Sequence, residues 1–265
     1  MYAFDYHRPA TLADASRVLK AQPGAKLLAG GQTLIPTLKL RLNATALIVD
    51  LGGIAGLNAI ERSSDTLAIA AMATHAEIAA SPIVASSIGG LGRLAEGIGD
   101  PQVRNRGTIG GSIANNDPAA DYPAALLALG AVMRTTKRTI AAEDYFRGLF
   151  ASFDEDEILT KIEFPIPKRF AYAKFHNSAS RFALVGVAVA DTASGVRVAV
   201  TGASANGVSH VPEMEMALSK SFLPEALKDV RVDISGLSSD IHADADYRAH
   251  LIGVMARRAV QSSLH

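Results

Sequence analysis

Apolar and polar positions along the first half of the chain repeat with the periods of short buried strands and amphipathic helices. Apolar runs at 25–30, 46–51 and 66–72 are typical of buried strands. Thr11 and Thr74 each precede an acidic residue three positions later, a spacing that predicts capped helix starts. The pattern therefore predicts strands and helices in alternation, as in α/β proteins.

The stretch LLAGGQTLIP, residues 27–36, places two adjacent glycines between a predicted strand and a predicted helix. We expect Thr33 to cap that helix and Pro36 to fall in its first turn. Three leucines are predicted to share one face of it, namely Leu34, Leu38 and Leu42. The glycine pair has two interpretations: a turn that needs a positive φ, or a loop whose N–H groups approach an anionic ligand.

A second glycine-rich loop repeats this chemistry at 107–112, with the sequence GTIGGS. Two such loops suit a pyrophosphate that is held from both sides. The following DYPAALLALGA is predicted as a helix that begins after Asp121 and stops at Gly130. Asp121 is interpreted either as a simple helix cap or as a ligand of a sugar or ribityl hydroxyl.

The second half of the chain is richer in predicted strands. EILTKIEFPIPK, residues 157–168, is predicted as a strand ended by its prolines, and we place a domain boundary near Lys168. Further strands are expected at 171–176, 182–190 and 196–201. Two helices are expected to close the chain, near 213–220 and 246–261.

Composition excludes several classes of function. The chain has 265 residues, of which 49% are apolar and 20% charged, and its 26 basic residues balance 26 acidic ones. A formal net charge of zero argues against nucleic acid as the partner. There is no cysteine, so disulfides, thiolate zinc sites and an iron–sulfur cluster held by this chain alone are excluded.

Other catalytic and binding motifs are weak or missing. Gly90-Leu-Gly92-Arg-Leu-Ala95 matches a dinucleotide fingerprint, but no good strand precedes it and no acid follows at the expected distance. There is no P-loop, no G-x-S-x-G and no histidine pair with metal spacing, so we assign no catalytic residue and no metal site. A missing signal peptide and the shortness of the apolar run 184–190 predict a cytoplasmic protein without a membrane span.

KLLAGGQTLIPTLKLRL and DPQVRNRGTIGGSIANNDPAADYPAALLALGA together resemble the FAD-binding subunit of the molybdenum hydroxylases, the xanthine dehydrogenase family. The similarity is greatest to the medium chain of carbon monoxide dehydrogenase-type enzymes. It covers nearly the whole chain, because YAKFHNSASRFALVGVAVA, AVTGASANGV and ADYRAHLIGVMARRAV resemble that family's C-terminal domain.

The resemblance implies an α+β fold with two parts. Residues 1–168 would form a two-subdomain FAD-binding fold of the vanillyl-alcohol oxidase type, with subdomains at about 1–56 and 57–168. Residues 169–265 would form a smaller α/β C-terminal domain with a three-stranded antiparallel sheet and helices.

The resemblance also implies which residues bind the cofactor. The first loop would contribute Leu27, Leu28, Ala29, Gly30, Gly31, Gln32, Thr33 and Leu34 to the pyrophosphate site, and the second Thr108, Ile109, Gly110, Gly111 and Ser112. Ile98 would line the site, and Asp121 would bind a sugar or ribityl hydroxyl. Leu159 would contact the adenine or its sugar, Lys174 would lie near the flavin and Tyr172 beside its isoalloxazine ring.

Two positions depart from the family pattern. Many relatives have His after the first glycine pair and Asn after the second, where this chain has Gln32 and Ser112. Both replacements keep a polar group but remove any role for an imidazole near the pyrophosphate. Because no cysteine or suitably placed histidine is available for attachment, we expect FAD to be bound noncovalently.

The function implied by the resemblance is electron transfer. A small partner subunit with two [2Fe–2S] clusters would supply electrons, a large partner subunit would carry molybdopterin, and the complex would be a dimer of heterotrimers. FAD would pass the electrons to an external acceptor. The alternatives are a stand-alone flavin oxidase of a small alcohol, a non-catalytic FAD-binding module, and a nicotinamide dehydrogenase.

Overall fold

Three β-sheets organise the chain, and the computed structural model describes residues 1–146 and 153–264. The first sheet is parallel, with the order β1-β3-β2, and consists of β1 Asp5–His7, β2 Lys26–Leu28 and β3 Leu47–Asp50. α1, Leu12–Ala21, follows β1, and α2, Leu34–Lys39, follows β2. A 3₁₀ turn at Leu51–Gly53 leaves β3. This small unit therefore presents the first glycine loop between β2 and α2.

The second sheet is antiparallel and has five strands in the order β4-β5-β8-β6-β7. Its strands are β4 Ile60–Arg62, β5 Thr66–Ala70, β6 Val132–Thr135, β7 Thr139–Ala141 and β8 Leu159–Pro165. Its helices are α3 His75–Ala80, α4 Pro82–Glu96, α5 Pro101–Arg104, α6 Ile109–Asn115, α7 Tyr122–Leu129 and α8 Ala142–Tyr145. The second glycine loop, 107–112, leads from α5 into α6, and its last four residues form the first turn of α6, which the sequence placed later in the chain.

The third sheet is antiparallel, in the order β12-β11-β10-β9. Its strands are β9 Arg169–His176, β10 Ala183–Thr192, β11 Gly195–Thr201 and β12 Ser209–His210. The helices after it are α9 Pro212–Lys220 and α10 Ala245–Ser263, with a 3₁₀ turn at Pro224–Leu227 between them. The three predicted long strands are thus confirmed, and a two-residue strand, β12, extends the sheet at its edge.

α7 lies between the second and third sheets. All eight of its residues are buried, and it packs against β10 and β11 on one side and β8 on another. A helix that is apolar all round is typical of a fully enclosed position. Asp121, immediately before this helix, is therefore fixed at the junction of the two sheets.

Of the three threonines predicted to cap helices, two do so. The Thr11 hydroxyl accepts a hydrogen bond from the Asp14 N–H at 3.1 Å, and Thr74 forms a complete capping box with Glu77. Thr33 does not cap α2, because its backbone is itself helical (φ −115°, ψ −51°) and its side chain makes no capping bond.

Other details of the predicted helices were wrong. Asp121 does not cap α7, since it has helical dihedrals and its carboxylate bonds elsewhere. Leu42 lies beyond the end of α2 and is 75% exposed, so it does not share a helix face with Leu34 and Leu38, of which Leu38 is buried.

The dinucleotide fingerprint at Gly90 and Gly92 lies inside α4 rather than in a turn after a strand. A Cβ on Gly90 would lie 2.5 Å from the Phe170 carbonyl oxygen, so this glycine permits close packing of α4 against β9. The nicotinamide-binding alternative therefore has no structural support at this motif.

No helix within residues 1–146 and 153–264 is long and apolar enough to cross a membrane. Over the same residues, His, Asp and Glu side chains form no group of three or more that could hold a metal ion.

Candidate functional site

A cavity of about 540 Å³ opens where the two glycine loops meet the β9–β10 hairpin. This volume is within the range of small-molecule and cofactor sites. Fourteen of the residues predicted to bind a cofactor line it: Leu27, Ala29, Gly30, Gly31, Gln32, Thr33, Leu34, Ile98, Thr108, Gly110, Gly111, Ser112, Asp121 and Leu159. Sequence segments separated by more than a hundred positions are thus brought to one concave surface.

Four residues of the predicted set do not line the cavity. Ile109 is fully buried in the apolar core, and Leu28 is half-buried in β2 beside the loop. Tyr172 and Lys174 lie behind the cavity wall, where both contact Asp121. They reach the cavity only through that carboxylate.

The two glycine loops are in direct contact. A Cβ on Gly30 would lie 1.9 Å from the Arg106 carbonyl oxygen and 2.8 Å from the Gly107 Cα, so only glycine permits this approach. Gly31 has a φ of +72°, which an L side chain rarely adopts. The turn with a positive φ, one of the two interpretations of the glycine pair, is thus present at Gly31, and Gly30 permits a close approach to the other loop that the sequence did not indicate.

Backbone donors are available in the first loop but not in most of the second. The N–H groups of Ile109 and Gly110 bond to the Ala73 and Ala71 carbonyls, at 3.1 and 2.9 Å. Those of Gly111 and Ser112 bond to Thr108, so the predicted anion-binding backbone of the second loop is already satisfied.

By contrast, among the described residues the N–H groups of Gly31, Gln32 and Thr33 form no hydrogen bond. Gln32 and Thr33 are exposed and Gly31 is half-buried, so these N–H groups are accessible from the cavity and are suited to receive the oxygens of an anion. The second loop can still offer the side-chain hydroxyls of Thr108 and Ser112, which line the cavity.

Asp121 is the centre of a buried polar network. Its Oδ1 accepts a hydrogen bond from the Tyr172 hydroxyl at 2.5 Å, and its Oδ2 pairs with the Lys174 ammonium at 2.9 Å. Burial raises the pKa of the Asp121 carboxyl, and the nearby Lys174 ammonium opposes that change. Burial also raises the pKa of Tyr172 well above its usual value, so its hydroxyl remains a donor.

Lys174 distributes its three donors among three parts of the chain. Besides Asp121, its Nζ donates to the Gly97 carbonyl at 3.0 Å and to the Arg181 carbonyl at 3.2 Å. An ammonium has only three N–H bonds. Lys174 therefore ties together the end of α4, the start of α7 and the β9–β10 hairpin, instead of pointing a free donor into the cavity.

Sequence reasoning missed the hairpin between β9 and β10, whose residues 180–182 line one end of the cavity. Arg181 has a φ of +62°, and its Nη1 donates to the Gly99 carbonyl at 3.3 Å. Phe182 is 46% exposed although it lines the cavity. No local pattern identified these residues, because their role depends on the contact between β9–β10 and the segment after α4.

His75 was also missed as a lining residue. It is 4% exposed, and its Nδ1 lies 3.3 Å from the Tyr122 hydroxyl. Burial, with a smaller contribution from Arg104, lowers the pKa of His75 to about 4. The imidazole is therefore neutral at pH 7. It also packs closely against Gly107, because a Cβ at that position would lie 2.7 Å from the His75 Nε2.

Comparison with known families accounts for both halves of the structure. Residues 2–167 match the family described as the FAD binding domain in molybdopterin dehydrogenase, and residues 170–263 match the carbon monoxide dehydrogenase flavoprotein C-terminal domain. The chain belongs to this family of FAD-binding medium subunits. It is an FAD-binding oxidoreductase subunit, and the resemblance inferred from its two loop motifs is confirmed.

Individual relatives are similar along their whole length. The chain is 36% identical to the nicotine 6-hydroxylase medium subunit of Paenarthrobacter nicotinovorans, with 97% of this chain and 96% of that one covered. It is 35% identical to the carbon monoxide dehydrogenase medium chain of Afipia carboxidovorans, with 98% and 96% covered.

Solved structures confirm the predicted fold class. The reconstituted carbon monoxide dehydrogenase from Oligotropha carboxidovorans superposes with a TM-score of 0.90 at 33% identity, covering 99% of this chain and 98% of that one. Quinoline 2-oxidoreductase from Pseudomonas putida 86 gives 0.88 at 29% identity, with 99% and 97% covered.

The cavity fits an FAD in its chemical character. Three unpaired N–H groups in the first loop suit a pyrophosphate, a buried carboxylate suits a hydroxyl, and apolar side chains such as Leu159 and Ile98 suit the ring systems. The family assignment and the donor set of the cavity therefore agree.

Proposed function

We propose that this chain is the electron-transferring FAD subunit of a molybdenum hydroxylase complex, which receives electrons from [2Fe–2S] clusters of a partner and delivers them to an external acceptor. The observation that carries the proposal is the cavity between the two loops, which holds donors for one dinucleotide. A chain without cysteine needs a partner to supply iron–sulfur clusters. When bound, FAD supplies the redox chemistry.

We assign the parts of FAD along the cavity as follows. The N–H groups of Gly31, Gln32 and Thr33 would hold the pyrophosphate, assisted by the hydroxyls of Thr108 and Ser112. Asp121 would accept a bond from a ribityl hydroxyl, since a carboxylate oxygen that already has one donor can accept another. Leu159 would contact the adenine and Ile98 the isoalloxazine. Binding is noncovalent in this proposal.

The remaining predicted residues act from behind this surface. Tyr172 and Lys174 would hold the Asp121 carboxylate in position, while Leu28 and Ile109 would support the two loops by packing. Gly30 would set the distance between the loops, and Ala29, Leu27, Leu34, Gly110 and Gly111 would complete the wall.

We further propose the organisation of the chain and its complex. Residues 1–168 would be the FAD-binding domain, with subdomains at about 1–56 and 57–168, and 169–265 the C-terminal domain. The relatives named as medium subunits and medium chains favour a small iron–sulfur subunit and a large molybdopterin subunit as partners. A dimer of heterotrimers and a cytoplasmic location stay predictions.

The alternative functions differ in what they require. A stand-alone alcohol oxidase needs a substrate pocket within this chain, whereas FAD itself would occupy the cavity between the loops. A non-catalytic FAD-binding module needs only the cofactor. Reduction of the bound FAD by a partner subunit that carries iron–sulfur clusters would distinguish the electron-transfer function from both alternatives.

The test is purification of the chain from its native host with whatever subunits accompany it. We expect flavin and iron–sulfur absorption bands in one complex, and bleaching of the flavin band when the substrate of the molybdenum subunit is added. FAD that stays oxidised although the clusters are reduced would favour the non-catalytic module. Alcohol oxidation by the isolated chain would favour the oxidase.

A further inference from the structure

Arg181 occupies an unusual position at the end of the cavity formed by the β9–β10 hairpin. Its left-handed backbone (φ +62°) is held by a bond from its own N–H to the Asn177 carbonyl at 2.8 Å and by the bond from Lys174 to its carbonyl. The guanidinium is steered towards the cavity by its bond to the Gly99 carbonyl. The hairpin thus presents one charged side chain at a fixed place.

The positive charge of Arg181 is not neutralised. No carboxylate among the described residues forms an ion pair with it. Of the described carboxylates that line the cavity, Asp121 and Glu157 are paired with Lys174 and Arg138, and Asp117 accepts the Ala119 N–H but forms no ion pair. Among the described residues that line the cavity, the other cation without an ion pair is Lys26, which belongs to β2 in the first sheet. An anionic group placed near Arg181 would therefore meet an uncompensated positive charge.

Arg181 and Asp121 lie at the same end of the cavity. Lys174 bonds to both the Asp121 carboxylate and the Arg181 carbonyl, so these two groups lie around one ammonium. With Asp121 accepting a ribityl hydroxyl, we place the isoalloxazine beside Arg181, Phe182 and Ile98, which line the cavity near it. This orientation rests on the function proposed above.

We propose that Arg181 tunes the bound FAD: its guanidinium places a positive charge beside the isoalloxazine and favours the reduced, more negatively charged state of the cofactor. Reduction adds negative charge to the ring, and a nearby cation attracts that charge through the partly desolvated cavity. Because Arg181 is exposed, solvent and salt limit the effect to about tenfold in relative affinity.

The experiment measures the midpoint potential of FAD on the full chain, together with the dissociation constant for oxidised FAD. In Arg181→Gln we expect the preference for reduced over oxidised FAD to fall about tenfold, which lowers the potential of a two-electron couple by about 30 mV. Arg181→Lys keeps the charge and is expected to keep the wild-type potential.

Lys26→Gln is the matched control, because it removes an equally unpaired cation from the first-sheet part of the same cavity. We expect it to weaken binding of both redox states equally and to leave the potential unchanged. Arg62→Gln, on the exposed strand β4 outside the cavity, controls for net charge.

The possible outcomes separate this inference from the proposed function. A potential that is the same in wild type and Arg181→Gln, with FAD bound in both, overturns the role of Arg181 but leaves the FAD site intact. An equal shift in Lys26→Gln would also overturn it, because the effect would then belong to the cavity as a whole. A wild-type chain that binds no FAD overturns both proposals.

Discussion

Replacing Gly30 by alanine is expected to push the two glycine loops apart and to weaken FAD binding. The new Cβ would lie 1.9 Å from the Arg106 carbonyl oxygen, whereas Cβ contacts shorter than 3.0 Å are essentially never found. One of the loops must therefore move by about 1 Å. The obstacle is backbone, so no side-chain rotation can relieve it.

The size of the effect follows from the donors that the first loop offers. A displacement of about 1 Å takes at least one of the N–H groups of Gly31, Gln32 and Thr33 out of hydrogen-bond range of a pyrophosphate oxygen. A hydrogen bond to a charged group contributes about 1.5–3 kcal/mol. We therefore expect FAD affinity to fall roughly tenfold to a hundredfold.

Equilibrium titration of the apoprotein with FAD, followed by quenching of flavin fluorescence, measures this loss. Gly236→Ala is the control, because its Cβ would meet no atom within 4 Å and its φ is not in the left-handed region. Thermal unfolding without FAD shows whether Gly30→Ala is folded. A folded Gly30→Ala that binds FAD as tightly as wild type would refute the reasoning.

The other predictions concern three residues around the cavity: Asp121, His75 and Gly110. Asp121→Asn leaves the Lys174 ammonium without its buried carboxylate partner. It should therefore lower the free energy of unfolding, measured by denaturant titration, by about 3–5 kcal/mol. An unchanged free energy of unfolding would contradict the pairing. The pKa of His75 is about 6.5 in the unfolded chain and about 4 in the folded one, so the unfolded chain binds the proton more readily. The free energy of unfolding should therefore fall as pH falls from 6.5 to 4. His75→Gln should remove that part of the pH dependence in denaturant titrations. Gly110→Val should lose FAD and stability together, as seen by titration and melting, because its Cβ would lie 2.6 Å from Ala71; loss of FAD alone would show that Gly110 serves only the ligand.

Features governed by neighbouring residues were predictable from the sequence. The caps at Thr11 and Thr74 depend on groups three positions away, and both are present. The apolar runs that became β3, β5 and β10 were also recognised, because burial on both faces leaves a continuous apolar signature. The two loop motifs and the family resemblance also predict that both loops line one ligand site, and both line the same cavity.

Features that depend on distant partners could not be predicted. Asp121 has the local sequence of a helix cap, but its partners Tyr172 and Lys174 lie 51 and 53 positions later. Gly110 was interpreted as a ligand-facing residue, whereas it is also required by its contact with Ala71. The charge of Arg181 beside the cavity depends on a hairpin that meets Gly99, which no local pattern indicates.

The three bonds of Lys174 have a consequence for the order in which the protein is assembled. The Gly97 carbonyl, the Asp121 carboxylate and the hairpin come together only after β9 and β10 have been synthesised and have packed against α4 and α7 respectively. A nascent chain that ends before that strand presents both glycine loops but no closed end to its cavity. We therefore expect FAD to bind tightly only once this end of the chain is in place, and a fragment that lacks residues 169–265 to bind it more weakly than the full chain.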